Sequence, residues 1–180
     1  PPTMSLASPD LQDMRLEEAS SEAISLLAPR HYQDVATAVY EDTELLLSSI
    51  LPDARIEHVG ASAMPGAYSR GGVDICVAVP RDAFDEALGV LREAGYVLRS
   101  QDEAADRWAA LAAPHSAVPL TLQLIESGSR HESLMVFRDA MRGGPALLAR
   151  YNALKIEAGA LGGVAYGGAK ASFIAEVLKG

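Results

Sequence analysis

An α+β fold is predicted for this 180-residue chain by the way its hydrophobic period changes along the sequence. The first part carries apolar residues at helical spacing, and the middle alternates or runs in short apolar stretches bounded by Gly, Pro and Asp. The last part returns to helical spacing with two glycine-rich breaks. A small mixed β-sheet with N-terminal helices and a C-terminal helical segment is therefore expected. It would form a single domain over 8–180, with a sheet core at 30–128 and a helical tail at 129–180.

Residues 1–7 carry no period and are expected to be disordered or foreign to the natural chain. Ser8, Pro9 and Asp10 make a helix start, with a capping hydroxyl, a proline in the first turn and an early negative charge. Leu11, Met14, Ala19, Ala23 and Leu27 follow near helical spacing until Pro29. A second helix over 30–50 is predicted to bury Tyr32, Val35, Val39, Leu46 and Ile50. After Leu51-Pro52-Asp53 the period shortens, and 56–59 and 73–79 read as strands, the second apolar enough to lie inside the sheet. Asp82 is the expected cap of a helix carrying Phe84, Leu88 and Leu91, stopped by Gly95 and followed by a strand over 96–99. Two more strands, 107–112 and 120–125, flank a turn around Pro114. The tail divides into helices over 129–142, 145–158 and 165–179. Their packing residues are Leu134, Phe137 and Met141, then Leu147, Tyr151 and Leu154, then Phe173, Ile174 and Val177.

Composition bounds the function. Apolar residues make up 49% and charged residues 22% of the chain, proportions of an ordinary globular protein that buries a core without staples. Cys76 is the single cysteine, which excludes an internal disulfide and a thiolate zinc cage. No apolar run approaches the roughly 18 residues of a membrane span. The first residues also lack the basic-then-apolar layout of a secretory leader, so a cytoplasmic protein with no membrane partner is expected. A net charge of −9 argues against coating nucleic acid. The charge is graded, however: 1–53 hold 10 acidic and 2 basic side chains, whereas 127–180 hold 4 and 7. The cationic tail suits either a small anionic ligand or a solvated helical surface. The acidic stretch over 8–53 is a candidate oligomer interface or cover for a cleft.

Chemistry concentrates in His58-Val59-Gly60-Ala61-Ser62-Ala63-Met64-Pro65-Gly66 and, after Arg70, in Val73-Asp74-Ile75-Cys76. A strand ending in glycine and small hydroxyl residues lets backbone N–H groups approach a phosphate, because no Cβ intervenes. A carboxylate on the next strand, Asp74, could hold a hard cation beside that phosphate. Taken alone, the segment equally fits an ordinary turn. His58 is a candidate general base or phosphate partner, with packing inside the sheet as the alternative. His115 and His131 read as surface positions, His31 as structural and Trp108 as core. Ser62 and Ser69 show no nucleophile-elbow pattern.

The run from His58 to Gly66, followed by Val73-Asp74-Ile75, resembles the signature of the GrpB family (UPF0157). Phe137-Arg138-Asp139, Arg142 and the two Tyr-x3-Lys elements, Tyr151 with Lys155 and Tyr166 with Lys170, resemble its C-terminal motifs. The resemblance spans about 30–179 and implies a nucleotidyltransferase-type fold that presents a small-residue loop to nucleotide phosphates. It implies that Gly60, Ala61 and Ser62 cradle phosphates, that Asp74 holds Mg²⁺, and that Arg70, Lys155 and Lys170 neutralise charge. Each tyrosine stands one helical turn from its lysine, so Tyr151 and Tyr166 could share the site as stacking rings or simply carry a snorkelling lysine past a buried face. The implied activity is binding of a nucleoside triphosphate, with transfer of a nucleotidyl group to an acceptor the sequence does not name. The alternative is a catalytically silent module that binds a small anionic ligand or a partner protein.

Departures from the family pattern bear on that choice. Ala61 stands where the loop usually has serine, and Gly71 where proline is common. Cys76 occupies the place of the second metal-binding acid of superfamily enzymes, two residues beyond Asp74 on the same strand face. Thr121 and Gln123 replace two histidines common in the family. A thiol is a poor ligand for Mg²⁺, so two-metal transfer lacks visible ligands.

Overall fold

The computed structural model describes residues 22–103 and 105–180. The predicted helix start at Ser8 lies outside them. Residues 22–28 are not the end of a helix. They are non-helical, and Leu27 forms an isolated antiparallel bridge with Ser69. The backbone N–H of Ile24 reaches the carbonyl of Gly159, so partners in the rest of the fold override the local helical spacing.

A 3-10 turn at Pro29–His31 leads into helix α1 (Gln33–Ile50). Its buried stripe runs through Tyr32, Ala36, Val39, Thr43, Leu47 and Ile50, a clean three- and four-residue spacing. Val35 and Leu46, predicted to be buried, are 52% and 48% exposed, because the small Ala36 and the Thr43 hydroxyl, bonded back to Val39, sit on the true inner face. Strands β1 (Arg55–Val59) and β2 (Val73–Val79) follow, then helix α2 (Phe84–Glu93). Asp82 does not cap α2. It lies in a 3-10 turn, Arg81–Ala83, that precedes the helix. Strands β3 (Val97–Asp102), β4 (Trp108–Ala112) and β5 (Leu120–Glu126) complete one five-stranded sheet of order β1-β2-β5-β4-β3. The β2/β5 pairing is parallel and the others are antiparallel, so the sheet is mixed and β2 lies in its interior as predicted.

Strand alternation divides the core in two. Val73, Ile75, Val77, Leu122 and Leu124 face α1 and α2, packing on Leu47, Phe84 and Leu91. Cys76, Ala78, Trp108, Ala110 and Ile125 face the other way, toward Met135 of helix α3 (Ser133–Gly143). Helices α4 (Pro145–Ala160) and α5 (Gly163–Leu178) join α3 in a helical layer. That layer is closed by Phe137, Met141, Tyr151, Phe173 and Ile174 together with Met64 and Ala67 of the β1–β2 connection. Pro145 follows the glycine break at the first turn of α4, where its missing N–H is harmless.

Trp108 is core as predicted, its indole N–H donating to Gln123 Oε1 at 2.8 Å. His131, expected at the surface, is 2% exposed. The 3-10 turn Arg130–Glu132 folds its ring against Trp108, with centroids 6.3 Å apart. Among the described residues no helix is long and apolar enough to cross a membrane.

Edge strand β1 is held to α3 by Arg138, which is buried. Its guanidinium donates to Glu57 Oε2 at 2.7 Å, to the carbonyl of His58 at 2.9 Å and to Asp139 Oδ1 at 2.8 Å. Arg138→Met keeps the stem and removes all three bonds. It is expected to lower unfolding free energy in urea titrations by about 2–4 kcal/mol, since Glu57 loses its counter-charge in a half-buried setting.

Candidate functional site

The rim of the site is the connection between β1 and β2. After Val59 the chain turns at Gly60, whose φ of +73° leads into the 3-10 turn Ala61–Ala63. A Cβ on Gly60 would stand 2.6 Å from Asp74 Oδ2, so only glycine lets this turn lie against the carboxylate. The register aligns Val59, Asp74 and Thr121 in one row across β1, β2 and β5, and this row faces the helical layer.

A cleft of about 440 Å³ opens over that row. The sheet and its connections contribute Gly60, Ala61, Met64, Ser69, Arg70, Gly72, Asp74, Pro119 and Thr121. The helical layer contributes Phe137, Tyr151, Lys155, Tyr166 and Lys170. Residues marked by the sequence as candidates thus meet from four separate elements: Gly60, Ala61 and Arg70 from the connection, Asp74 from β2, Tyr151 and Lys155 from α4, Tyr166 and Lys170 from α5. The two Tyr-x3-Lys elements behave alike. Lys155 Nζ lies 4.3 Å from the centroid of the Tyr151 ring, and Lys170 Nζ lies 5.1 Å from that of Tyr166. Lys155 is 1% exposed, and its ammonium donates to the carbonyl of Tyr68.

His58 and Ser62 are not brought into this cleft. His58 pairs with Ile75, one residue along from Asp74, so its side chain leaves the opposite face of the sheet. There its ring stacks on Tyr40 of α1 at 4.4 Å, and its Nε2 lies 2.8 Å from Ser62 Oγ. Burial, with Arg142 and Arg138 nearby, pushes His58 down to about 4, so the imidazole is neutral near pH 7. The pair borders a second concavity of about 420 Å³, with Tyr40 and Glu41 of α1 on one side and Arg138 and Arg142 of α3 on the other.

The residues at the cleft do not fit a two-metal set. Two residues beyond Asp74, Cys76 is fully buried, and burial pushes its thiol up to about 12, which keeps it protonated and unsuited to bind a hard cation. Gln123, beside Cys76 in the register, has its carbonyl oxygen engaged by Trp108. Among the described residues no three His, Cys, Asp or Glu side chains cluster closely enough to hold a metal ion. Among the described residues Asp74 is the single carboxylate lining the cleft.

Several residues that shape the site are not among the site candidates the sequence offers. Tyr32 donates its hydroxyl to the carbonyl of Ala67 at 2.7 Å, and Gln33 Nε2 donates to that of Met64 at 2.7 Å. Asn152 accepts from the N–H of Tyr68 at 2.9 Å and donates to the carbonyl of Gly66 at 2.9 Å. Arg142 Nε donates to the carbonyl of Ala63 at 2.7 Å. The available cues were the family motif that includes Arg142, and Asn152 itself, a poor helix former placed inside α4 next to Tyr151.

Two outcomes are expected. Gly60→Ala meets both the left-handed backbone and the Asp74 carboxylate, and should lower stability by about 2 kcal/mol or more in urea unfolding. His58, neutral when folded, recovers an ordinary pKa of 6.5 on unfolding, so the unfolded chain takes up the extra proton between pH 6.5 and about 4. Its contribution is whole above pH 6.5 and falls by roughly 3 kcal/mol as the pH drops through that window. His58→Gln should flatten this part of the Tm profile between pH 7 and 4.5.

Comparison with known proteins agrees with this architecture. A UPF0157 protein of Vibrio cholerae serotype O1 is 34% identical over 147 residues, covering 82% of this chain and 78% of its own. The crystal structure of the conserved protein GrpB from Enterococcus faecalis superposes with a TM-score of 0.65 at 19% identity, covering 86% of this chain and 98% of that one. The Cid1 poly(U) polymerase, in a crystal structure with MgGTP bound, superposes with a TM-score of 0.51 at 14% identity over 82% of this chain. The present chain spans 44% of that polymerase, and the likeness is one of fold, a nucleotidyltransferase-like core. The GrpB protein family model matches residues 30–180, and with the relative from Vibrio cholerae this places the chain in the GrpB (UPF0157) family.

Proposed function

We propose that the cleft binds the phosphate groups of a nucleotide, a nucleoside triphosphate being the preferred form, and that it acts as a binding module. The observation that carries this reading is the convergence of Arg70, Lys155 and Lys170 on one cleft beside Asp74, in a chain whose net charge is −9. A locally cationic cleft in an acidic protein attracts a small, highly charged anion without retaining bulk nucleic acid. The turn after Gly60 supplies backbone at close range, and the rings of Tyr151 and Tyr166 offer apolar faces beside the cations. The nucleotide complex of the Cid1 polymerase lends the expectation that the ligand is a nucleotide rather than another phosphate. A magnesium ion arriving with a triphosphate would meet Asp74 as its hard protein ligand. Transfer of a nucleotidyl group is the competing reading, and the want of a second carboxylate weighs against it.

Thermal melting with ATP, GTP, CTP and UTP, with and without Mg²⁺, tests the reading. At about 100 times its dissociation constant the ligand should add roughly 2.7 kcal/mol, a rise in Tm of about 5–10 °C for a chain of this length. Arg70→Ala and Lys170→Ala should each remove most of the shift, and Asp74→Ala only its Mg²⁺-dependent part. If no triphosphate moves the melting point, phosphate binding is wrong. Steady pyrophosphate release on incubation with a triphosphate would instead favour transfer.

A further inference from the structure

We infer that the non-helical residues 22–28 are a tie across the cleft, holding its two walls at a set separation through Ile24 and Leu27. The inference rests on the phosphate reading for its ligand, though its geometry stands apart from it. At one end the N–H of Ile24 donates to the carbonyl of Gly159 at 2.8 Å, at the C-terminal end of α4. A Cβ on Gly159 would lie 3.5 Å from both the Ile24 Cβ and the Tyr166 ring, so Ile24 sits just behind a ring that lines the helical wall. At the other end Leu27 and Ser69 exchange both backbone hydrogen bonds, at 2.6 and 3.1 Å. Leu27 Cδ1 closes over Gly71, where φ is +94° and an added Cβ would be 3.0 Å away.

Ser69 then passes the constraint along the rim, since its hydroxyl accepts from the N–H of Gly71 at 3.0 Å. Arg70 lies between these two residues and lines the sheet-side wall. Three residue steps of chain reach at most about 10 Å, and both ends are fixed by backbone bonds rather than by side chains. Among the described residues the segment joins no regular ladder, and its backbone bonds at Ile24 and Leu27 run to the two walls it joins. Leu27 and Ile24 are accordingly positioning residues: they act on a bound anion through Arg70 and Tyr166.

The test uses the full chain with Leu27→Pro and Ile24→Pro, each deleting one anchoring N–H, beside Leu27→Ala, which keeps it. Hydrogen exchange is followed at Ser69 and Gly71, and sodium tripolyphosphate and ATP affinities are measured calorimetrically. Leu27→Pro should speed exchange at Ser69 and Gly71 by about fivefold and weaken tripolyphosphate binding by a similar factor, the scale of one lost hydrogen bond. In an Arg70→Ala background the weakening should shrink below about twofold, since the tie then has no cation to position. Unchanged exchange overturns the tie, as does faster exchange with unaltered affinity. An equal penalty in both backgrounds reduces the effect to general destabilisation and also overturns it. Failure of the parent chain to bind either polyphosphate sinks the phosphate reading alone. The exchange at Ser69 and Gly71, which needs no ligand, then decides for or against the tie.

Discussion

Thirteen residues of backbone between β1 and β2 must find hydrogen-bond partners outside the sheet, and where they find them decides where the cleft is. An antiparallel pair can be joined by two residues, so this connection is long for its task. Its polar groups are met from four directions, one of them α3, whose Arg142 donates to the carbonyl of Ala63. Tyr32 and Gln33 reach in from the start of α1, Asn152 and Lys155 from α4, and Leu27 from the segment ahead of both. Met64 and Ala67 also enter the apolar core of the helical layer, so the connection belongs to the helices as much as to the sheet. The cleft is the space left between a sheet and a helical layer that share one loop, and it exists only when both are folded.

The elements that could be read from the sequence were those whose signal is local. β2 is apolar on both faces but for Asp74, and its observed bounds match the predicted ones. The glycine breaks before Pro145 and around Gly162 end and start helices because glycine and proline act on their own backbone. The cleft-lining residues of α4 and α5 were legible through the family motifs they resemble, the four-residue spacing adding only that each tyrosine and its lysine share a helix face. Phase was less legible. The inner stripe of α1 passes through Ala36 and Thr43 rather than the larger Val35 and Leu46, because the sheet surface beneath admits small groups there. His58 and Ser62 lie next to cleft residues in sequence but leave on the other side. Strand alternation sends His58 away from Asp74, and the 3-10 turn carries Ser62 round to meet it. His131 and residues 22–28 take their places wholly from contacts distant in sequence, with Trp108, Gly159 and Ser69, and no local pattern could announce them.

The helical face of the sheet is divided along the strand direction. At one end the row of Val59, Asp74 and Thr121 meets the cleft; two residues on, the row of Glu57, Cys76 and Gln123 lies beneath α3. Arg138 fixes α3 over that second row by bonding Glu57 and the His58 carbonyl, and Met135 fills the space above Cys76 and Trp108. The polar and apolar halves of one face are thus kept apart by a buried guanidinium. The cations of the cleft come from the other side of this divide, on α4 and α5 and on the rim, where among the described residues no carboxylate but Asp74 lines the space they share.

That division bears on how such a fold moves between binding and transfer chemistry. In a two-metal site the acids must share one solvent-reached pocket, so that metal, nucleophile and leaving group meet. Here position 76 is fully buried, next to Ile125 and beneath Met135, and the neighbouring Gln123 is committed to the indole of Trp108. An aspartate introduced at that position would be a buried, unpaired carboxylate, which protonates or destabilises the fold before it can hold a cation. Opening the row to solvent would require moving α3, and α3 is the helix that Arg138 and Arg142 bond to β1 and to the turn after Gly60. The second acid is therefore missing together with the space it would need. What the packing leaves open is the cleft beside Asp74, lined by Lys155 and Lys170 on helices that the sheet and its long connection keep in place.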